Sequence, residues 1–228
     1  MALVLLLCAG WGGLAPALKL ALREVPPLAL AGWRFLLGLL AIGAWCRLRG
    51  IPLRPGAGHA PTLAFAAALF VLQIALLNAG TRFTSGGHAI LLLSTHPLFV
   101  ALFAHRVLPG DRLTSWKLAG SLVALAGIGA VVGERLSGGS LAGDLLVVAS
   151  ALTLGVLVTV MKHALNRGYP VYELLLWQFI PGVAGFFLLS RWLEGPIAWP
   201  VDPAARASIL YQGLVVSGLC FVAWNTLL

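Results

Sequence analysis

The chain has 228 residues, of which 60% are hydrophobic and only 10% are charged, and its mean hydropathy is +0.98. Soluble domains average about 45–50% apolar and about 25% charged residues, so this composition excludes a soluble globular protein and predicts an integral membrane protein. Basic loops that face an anionic membrane surface account for the formal net charge of +8, and we expect no nucleic-acid partner.

Eight apolar runs follow one another along the chain, each close to the roughly 20 residues that a membrane-spanning helix needs. The first run has no basic leader and no clean cleavage site, which favours a true first span over a signal peptide. The connections are short and rich in Gly and Pro, as turns are. The pattern predicts an all-α, polytopic transmembrane helix bundle. The predicted spans are 2–22, 28–46, 61–80, 87–105, 116–133, 143–162, 172–192 and 207–228.

The basic residues of the loops predict the orientation, because cytoplasmic loops carry an excess of Lys and Arg. One side of the predicted bundle has the larger set, so we expect that side and the N-terminus to be cytoplasmic, in the cytoplasmic (inner) membrane. The larger set is Arg47, Arg49, Arg54, Arg106, Arg112, Lys117, Lys162 and Arg167. The smaller set is Arg23, Arg82, Arg135, Arg191 and Arg206.

Residues 19–35 resemble residues 162–179, which indicates an internal repeat. Residues of the same type recur at offsets of 143 to 147 positions: Lys19 and Lys162, Pro27 and Pro170, Trp33 and Trp177, Phe35 and Phe179, and Asn78 and Asn225. This offset contains five predicted spans, and an odd number makes the second copy enter the membrane from the opposite face. The sequence therefore predicts an inverted-topology repeat, a plan typical of secondary transporters.

The predicted repeats occupy residues 1–135 and 140–228. The first contains five spans and the second only three. We therefore expect the second repeat to be incomplete, with its two C-terminal helices missing.

Several motifs carry a resemblance to a known family. They are "WGGLAPALKLAL" in the first span, "GWRFLLG" in the second, and "LLSTHPLFVALFAHRVLPGDRLTSWKLAGSLVALAGIGAVV" across the fourth and fifth. This ordered set resembles the EamA-type family of the drug/metabolite transporter superfamily, with Asp111 where that family usually has Glu. The resemblance implies a secondary transporter that exports or exchanges small metabolites, often amino acids. The matching positions are Trp11, Gly12, Lys19, Arg34, Pro97, Asp111 and Gly120.

Arg34 is the charge placed furthest inside a predicted span, six residues past Leu28 and so about 9 Å along a helix. It could snorkel to the nearer interface, or it could face the bundle interior and pair with a neighbour or with an anionic substrate group. Its repeat partner, Gln178, is neutral but polar. A polar residue at the same depth in both copies favours the inward orientation.

Pro97 lies in the middle of the fourth span and cannot donate to the carbonyl of Leu93, so the sequence predicts a kink or an opening there. His96, beside that carbonyl, could bind a substrate or relay a proton; equally, it could be a packed histidine of a helix contact.

The remaining polar and aromatic residues of the spans have two interpretations each. Gln73, Asn78 and Asn225 either join helices or line a cavity. Trp11 and Trp224 either belong to an aromatic belt or line a pocket. The full set of candidate substrate-binding or cavity-lining residues is Trp11, Arg34, Gln73, Asn78, Thr95, His96, Gln178, Trp224 and Asn225, with Pro97 as the helix kink.

No catalytic arrangement stands out, because the carboxylates nearest to the spans, Asp144 and Glu173, start their helices and suit the helix dipole there. We expect no enzymatic activity, no cofactor and no metal. The expected partners are a small-molecule substrate and the lipid bilayer, with a homodimer left open. The favoured function is a secondary transporter that moves small metabolites such as amino acids by alternating access. The alternatives are an integral-membrane enzyme and a non-transporting membrane subunit.

Overall fold

A computed structural model describes residues 2–132, 140–197 and 199–225, and within these ranges the chain is helical, without strands. Six helical segments are long and apolar enough to cross a membrane: Pro27–Leu48, Ala60–Thr81, Gly87–Val107, Leu141–Asn166, Val171–Leu193 and Pro203–Trp224. Two shorter apolar helices, Leu5–Leu18 and Ser115–Ala130, coincide with the other two predicted spans. The predicted all-α polytopic bundle is confirmed.

Several predicted spans are divided, so the described residues form eleven α-helices and one π-helix. The α-helices are α1 (Ala2–Gly12), α2 (Leu14–Ala21), α3 (Pro27–Leu48), α4 (Ala60–Phe83), α5 (Gly86–Leu93), α6 (His96–Val107), α7 (Ser115–Val132), α8 (Leu141–Asn166), α9 (Val171–Leu193), α10 (Pro203–Leu210) and α11 (Phe221–Asn225). The π-helix, Tyr211–Cys220, joins α10 to α11.

Two proline residues account for two of these interruptions. Pro16 has no N–H for the carbonyl of Gly12, and the helix breaks at Gly13 between α1 and α2. Pro97 lies in the first turn of α6, after the break at Ser94–Thr95. The first and fourth predicted spans are therefore each two helices in sequence.

The helices group into two compact units, each of which takes segments from both halves of the chain. Unit 1 comprises Met1–Ala67 and Gly168–Leu228. Unit 2 comprises Ala68–Arg167.

The centre of unit 1 is the antiparallel pair α3 and α9. At one end, the backbone N–H of Leu28 donates to Glu194 at 2.9 Å. At the other end, the Trp45 indole donates to the Tyr172 hydroxyl at 3.1 Å. Between these ends the seam is filled by the buried rings of Phe35, Phe179 and Phe186.

The π-helix packs against α3 through two close approaches. A Cβ at Gly38 would lie 2.9 Å from the Ser217 Cβ, and one at Gly213 would lie 2.4 Å from the Leu37 Cβ. Glycine is needed at both positions because the helices approach more closely than side chains allow, as small residues permit in membrane bundles.

In unit 2, α8 is the central helix, and its glycines allow neighbouring segments to approach it closely. A Cβ at Gly143 would lie 2.6 Å from the Phe83 carbonyl carbon, and one at Gly155 would lie 2.6 Å from the Phe99 Cβ. The N-terminus of α8 is capped by the Ser140 hydroxyl, which accepts from the N–H of Gly143 at 3.1 Å. Gly143 thus serves both the cap and the contact.

Candidate functional site

Arg34 lies in the middle of unit 1, where its side chain bends back over the neighbouring ring and towards the π-helix. Its guanidinium carbon is 4.4 Å from the centroid of the Phe35 ring. Its Nε–H donates to the Ser217 hydroxyl at 3.1 Å. Within the described residues no carboxylate forms an ion pair with Arg34. The guanidinium therefore keeps donors available in a membrane-spanning helix.

Two glutamines of unit 1 are buried with amide atoms that no described group satisfies. Gln178 is 3% exposed, and its Oε1 has no hydrogen-bond partner. Gln212, in the π-helix, is fully buried, and neither its Nε2 nor its Oε1 has one. Buried polar groups are nearly always hydrogen-bonded, so these amide atoms are available to a bound molecule or to water.

Ser217 and Gln212 are not among the candidate residues that the sequence predicts. The signal that could have found them is that each is an uncharged polar residue inside the last apolar span. The π-helix is a second signal that only the structure provides, since π-helical turns occur frequently at functional sites.

Trp11 and Trp224 are brought together in unit 1, with ring centroids 5.4 Å apart in an edge-to-face arrangement. The Tyr211 hydroxyl donates to the carbonyl of Gly10 beside them. The side chain of Asn225 lies outside the described part of the structure.

The other candidate residues belong to unit 2. Gln73 is 4% exposed and forms a closed pair with Ser150: its Nε2 donates to the Ser150 hydroxyl at 3.0 Å, and that hydroxyl donates to the Gln73 carbonyl at 2.9 Å. This pair joins α4 to α8. The carbonyl of Asn78 accepts from the Thr81 hydroxyl at 3.0 Å.

At the break between α5 and α6, side chains satisfy carbonyls at the end of α5. The Thr95 hydroxyl donates to the carbonyl of Leu92 at 2.6 Å. The Nδ1 of His96 lies 3.1 Å from the carbonyl oxygen of Leu93, the acceptor that Pro97 cannot serve. His96 and Pro97 also line a groove of about 460 Å³ in unit 2.

The acidic residue that follows the fourth span, Asp111, binds two lysines. One carboxylate oxygen accepts from Lys117, and the other accepts from the Nζ of Lys162 at 3.0 Å. The hydrogen bonds from Lys117 and then Lys162 hold the pKa of Asp111 below its ordinary value. Asp111 thus ties the loop after α6 to α8.

These helices and motifs are those of a known family of membrane proteins. The model of the EamA-like transporter family matches residues 1–133 and 141–228. The chain belongs to the EamA-like transporter family. It is therefore an integral membrane transporter and not an enzyme.

Named relatives of this EamA-like transporter include exporters. A probable terminal-alkyne amino-acid exporter of Streptantibioticus cattleyicolor is 31% identical over 218 residues, which cover 94% of this chain and 71% of the relative. A probable amino-acid metabolite efflux pump of Escherichia coli K12 is 27% identical over 237 residues, covering 99% of this chain and 77% of the pump. A protein of known crystal structure superposes with a TM-score of 0.82 at 23% identity, over 98% of this chain and 77% of its own, which supports the fold.

In this EamA-like chain the carboxylates at the two ends of α9 are engaged with neighbouring elements. Glu173 is 6% exposed and accepts from the N–H of Gly56 at 3.1 Å, and it lies 2.7 Å from the Nδ1 of His59. Glu194 accepts from the N–H groups of Leu28 and Ala29 at the start of α3. Glu173 lies in the first turn of α9, as expected of a carboxylate that suits the helix dipole, and its contacts also hold the loop before α4.

Proposed function

We propose that this protein exports amino acids or related amphipathic small metabolites across the cytoplasmic membrane by alternating access. The names of the relatives support export of amino-acid-like solutes. The observation that carries the proposal is the Arg34 guanidinium, which lies within a spanning helix with Ser217 as its described hydrogen-bond partner.

A lone guanidinium in a span is costly: membrane-insertion scales put an Arg at a helix centre at about 2.5–3.5 kcal/mol. Such a charge is retained where it faces protein or water and where it has a task. A carboxylate is the natural ligand, because it accepts two parallel N–H bonds from a guanidinium. The proposed role of Arg34 is to bind the carboxylate of the solute, with Gln178 and Gln212 of unit 1 as further hydrogen-bonding groups.

Alternating access requires two related bundles that rock about a common axis. The repeat in the sequence supports this organisation, with proposed repeats at residues 1–135 and 140–228. The antiparallel contact of α3 with α9 also supports it, because these helices carry the matched segments of the two repeats.

The proposed orientation places the N-terminus in the cytoplasm, as the loop charges favour. A cysteine introduced at Arg49 should then react with a membrane-impermeant maleimide only from the cytoplasmic side. Labelling from the outside of intact cells would show that the opposite orientation is correct.

The test of export is uptake of labelled amino acids and related amphipathic metabolites into proteoliposomes, with and without a pH gradient. We expect saturable flux of one solute class. Arg34→Gln should lower that flux at least tenfold, mainly by raising KM. Arg34→Lys should restore only part of the flux, because its ammonium keeps the positive charge but cannot donate two parallel N–H bonds to a carboxylate. Arg191→Gln, an exposed change in the last turn of α9, is the matched control. Equal flux in the Arg34→Gln protein would exclude Arg34 from the solute site.

A further inference from the structure

Unit 2 has a groove along α7, between that helix and the break that separates α5 from α6. Its volume is about 460 Å³, within the range of small-molecule sites. One end lies at the first turn of α7, where Trp116 and Lys117 line it. From there the lining follows α7 through the exposed Gly120 and Ala124 to Ile128, which is about 16 Å further along the helix than Lys117. The groove therefore runs from the end of a predicted span into the span.

The end of the groove at Lys117 carries a net positive charge. Lys117 and Lys162 share the single carboxylate of Asp111, one on each oxygen, so one positive charge is left over. The exposed Arg112, whose carbonyl accepts from the Lys117 Nζ at 3.0 Å, adds a further charge beside it. Among the described residues of unit 2, the other carboxylate is Asp144, at the opposite end of α8 from Lys162 and about 27 Å away along that helix.

Lys117 and Trp116 supply hydrogen-bond donors at this end. The Lys117 Nζ donates to Asp111 and to the carbonyl of Arg112, and these two contacts leave one of its three N–H groups for a ligand. The Trp116 side chain is 86% exposed, and its indole N–H can only donate. An ammonium and an indole N–H suit a phosphate group, which offers several acceptor oxygens and a negative charge. Tryptophan is also enriched at the depth of the lipid headgroups.

The rest of the groove suits an apolar chain, because its polar side chains are engaged with the backbone. The hydroxyls of Ser94 and Ser121 donate to carbonyls of α5 and α7, at 2.7 and 2.9 Å respectively. The Nδ1 of His96 lies 3.1 Å from a carbonyl oxygen at the end of α5. Polar groups that are satisfied by the protein itself are tolerated next to hydrocarbon. The other lining residues beyond Lys117 have no polar side-chain atoms: Pro97, Gly120, Ala124 and Ile128.

We propose that this groove binds one anionic phospholipid, with the headgroup phosphate at Lys117 and Trp116 and an acyl chain along α7 towards Ile128. Charge complementarity favours an anionic lipid over a zwitterionic one, because the ammonium of a zwitterionic headgroup would meet the net positive charge of the lysine pair. The site is distinct from that of Arg34. Binding is measured at equilibrium without transport, so its outcome does not depend on the proposed export function.

The probe is phosphatidylglycerol, titrated onto the delipidated protein in detergent and followed by native mass spectrometry, which resolves each bound lipid. The first phosphatidylglycerol should bind about fivefold more tightly than phosphatidylcholine with the same acyl chains, the effect expected of one basic residue near a membrane surface. Equal affinities for the two lipids would overturn the proposal.

A change of charge locates the headgroup. Lys117→Gln should weaken the binding of phosphatidylglycerol about fivefold and leave that of phosphatidylcholine unchanged. The matched control is Arg47→Gln, which removes an exposed charge from the last turn of α3 in unit 1 and should bind phosphatidylglycerol as the wild type does. An equal loss in both variants would show that the lipid responds to the overall charge of the protein, which would contradict a site in the groove.

A change of shape locates the acyl chain and keeps the test valid if Lys117→Gln does not fold. Nothing lies within 4 Å of a Cβ at Gly120, so Gly120→Leu can fill part of the groove without a clash and with every charge retained. It should weaken the binding of phosphatidylglycerol about fivefold. Gly127→Leu is the control, since a Cβ there also has nothing within 4 Å and Gly127 is not part of the groove lining. Unchanged affinity in Gly120→Leu would place the lipid elsewhere and overturn the proposal.

The same spectra separate two other occupants of the groove. A second copy of the chain would appear as a dimer that phosphatidylglycerol dissociates and that Gly120→Leu abolishes. A free phosphate ester would appear as loss of the bound lipid in millimolar glycerol phosphate, the soluble part of the headgroup. Either result would overturn the proposal, whereas a monomer that keeps its phosphatidylglycerol in glycerol phosphate supports it.

Discussion

The rings of Phe35 and Phe179 lie 5.1 Å apart in the buried seam between α3 and α9, and the two residues are equivalent positions of the sequence repeat, 144 apart. Each residue thus contacts its own counterpart. In a structure with two-fold pseudosymmetry, such a contact can occur only close to the axis. The seam supports the proposed inverted repeat from within a single unit.

The seam continues at Gly38, which predicts how α3 tolerates substitution. Gly38→Ala places a Cβ 2.9 Å from the Ser217 Cβ and 3.3 Å from the Phe179 ring. We expect this overpacking to destabilise the protein by about 1–3 kcal/mol, visible as a lower midpoint of thermal unfolding in detergent.

The matched control is Gly43→Ala in the same helix. Nothing lies within 4 Å of a Cβ at Gly43. Alanine there should be neutral or stabilising by up to about 1 kcal/mol, because it forms helix more readily than glycine. Equal midpoints for the two variants would show that α3 does not approach the π-helix as closely as described.

Glu194 predicts a second effect, at the N-terminus of α3. Its carboxylate accepts from the N–H groups of Leu28 and Ala29, between 2.9 and 3.1 Å. Glu194→Ala removes this cap and should cost about 1–2 kcal/mol, while Glu194→Gln, which keeps one acceptor oxygen, should cost less. Hydrogen exchange should accelerate at amides 28 and 29. No local acceleration would show that water caps the helix equally well.

The predictable part of this fold is the part that hydropathy determines. The length of the apolar runs located the six described helices that are long enough to span a membrane, and loop prolines and glycines located the turns between them. The inward placement of Arg34 was favoured because Gln178 occupies the equivalent position. Its hydrogen bond with Ser217 was not predictable, because it depends on the register of the π-helix and on how closely Gly38 and Gly213 let that helix approach α3. Such close approaches depend on both helices of a pair, and the sequence of one span does not show which helix packs against it.

Asp111 predicts how stability depends on pH. Its pKa is lowered in the folded protein by hydrogen bonds from Lys117 and then Lys162. A carboxyl whose folded pKa lies below its unfolded value of about 3.8 contributes stability that is complete above that value. The contribution disappears as the pH falls through the folded pKa.

The measurement compares the wild type with Asp111→Asn by thermal unfolding from pH 7 to pH 2.5. The wild type should have the higher midpoint at pH 5 and above, and the difference should shrink below about pH 4. The change should be modest, because the site is partly exposed and salt screens it. A difference that stays constant down to pH 2.5 would mean that the carboxylate does not contribute through its charge.

Gln212 and Gln73 are both buried but have opposite environments, and they therefore predict opposite effects on stability. The amide of Gln212 has no described partner, whereas Gln73 is paired with Ser150. Gln212→Leu removes an unsatisfied amide and should raise the unfolding midpoint by the equivalent of about 1–3 kcal/mol. Gln73→Leu leaves the Ser150 hydroxyl without the N–H donor of Gln73 and should lower the unfolding midpoint by a similar amount.

If Gln212 binds the solute as proposed, the Gln212→Leu protein is more stable but transports more slowly in proteoliposomes. A Gln212→Leu protein that gains stability and keeps the full flux would remove Gln212 from the proposed site.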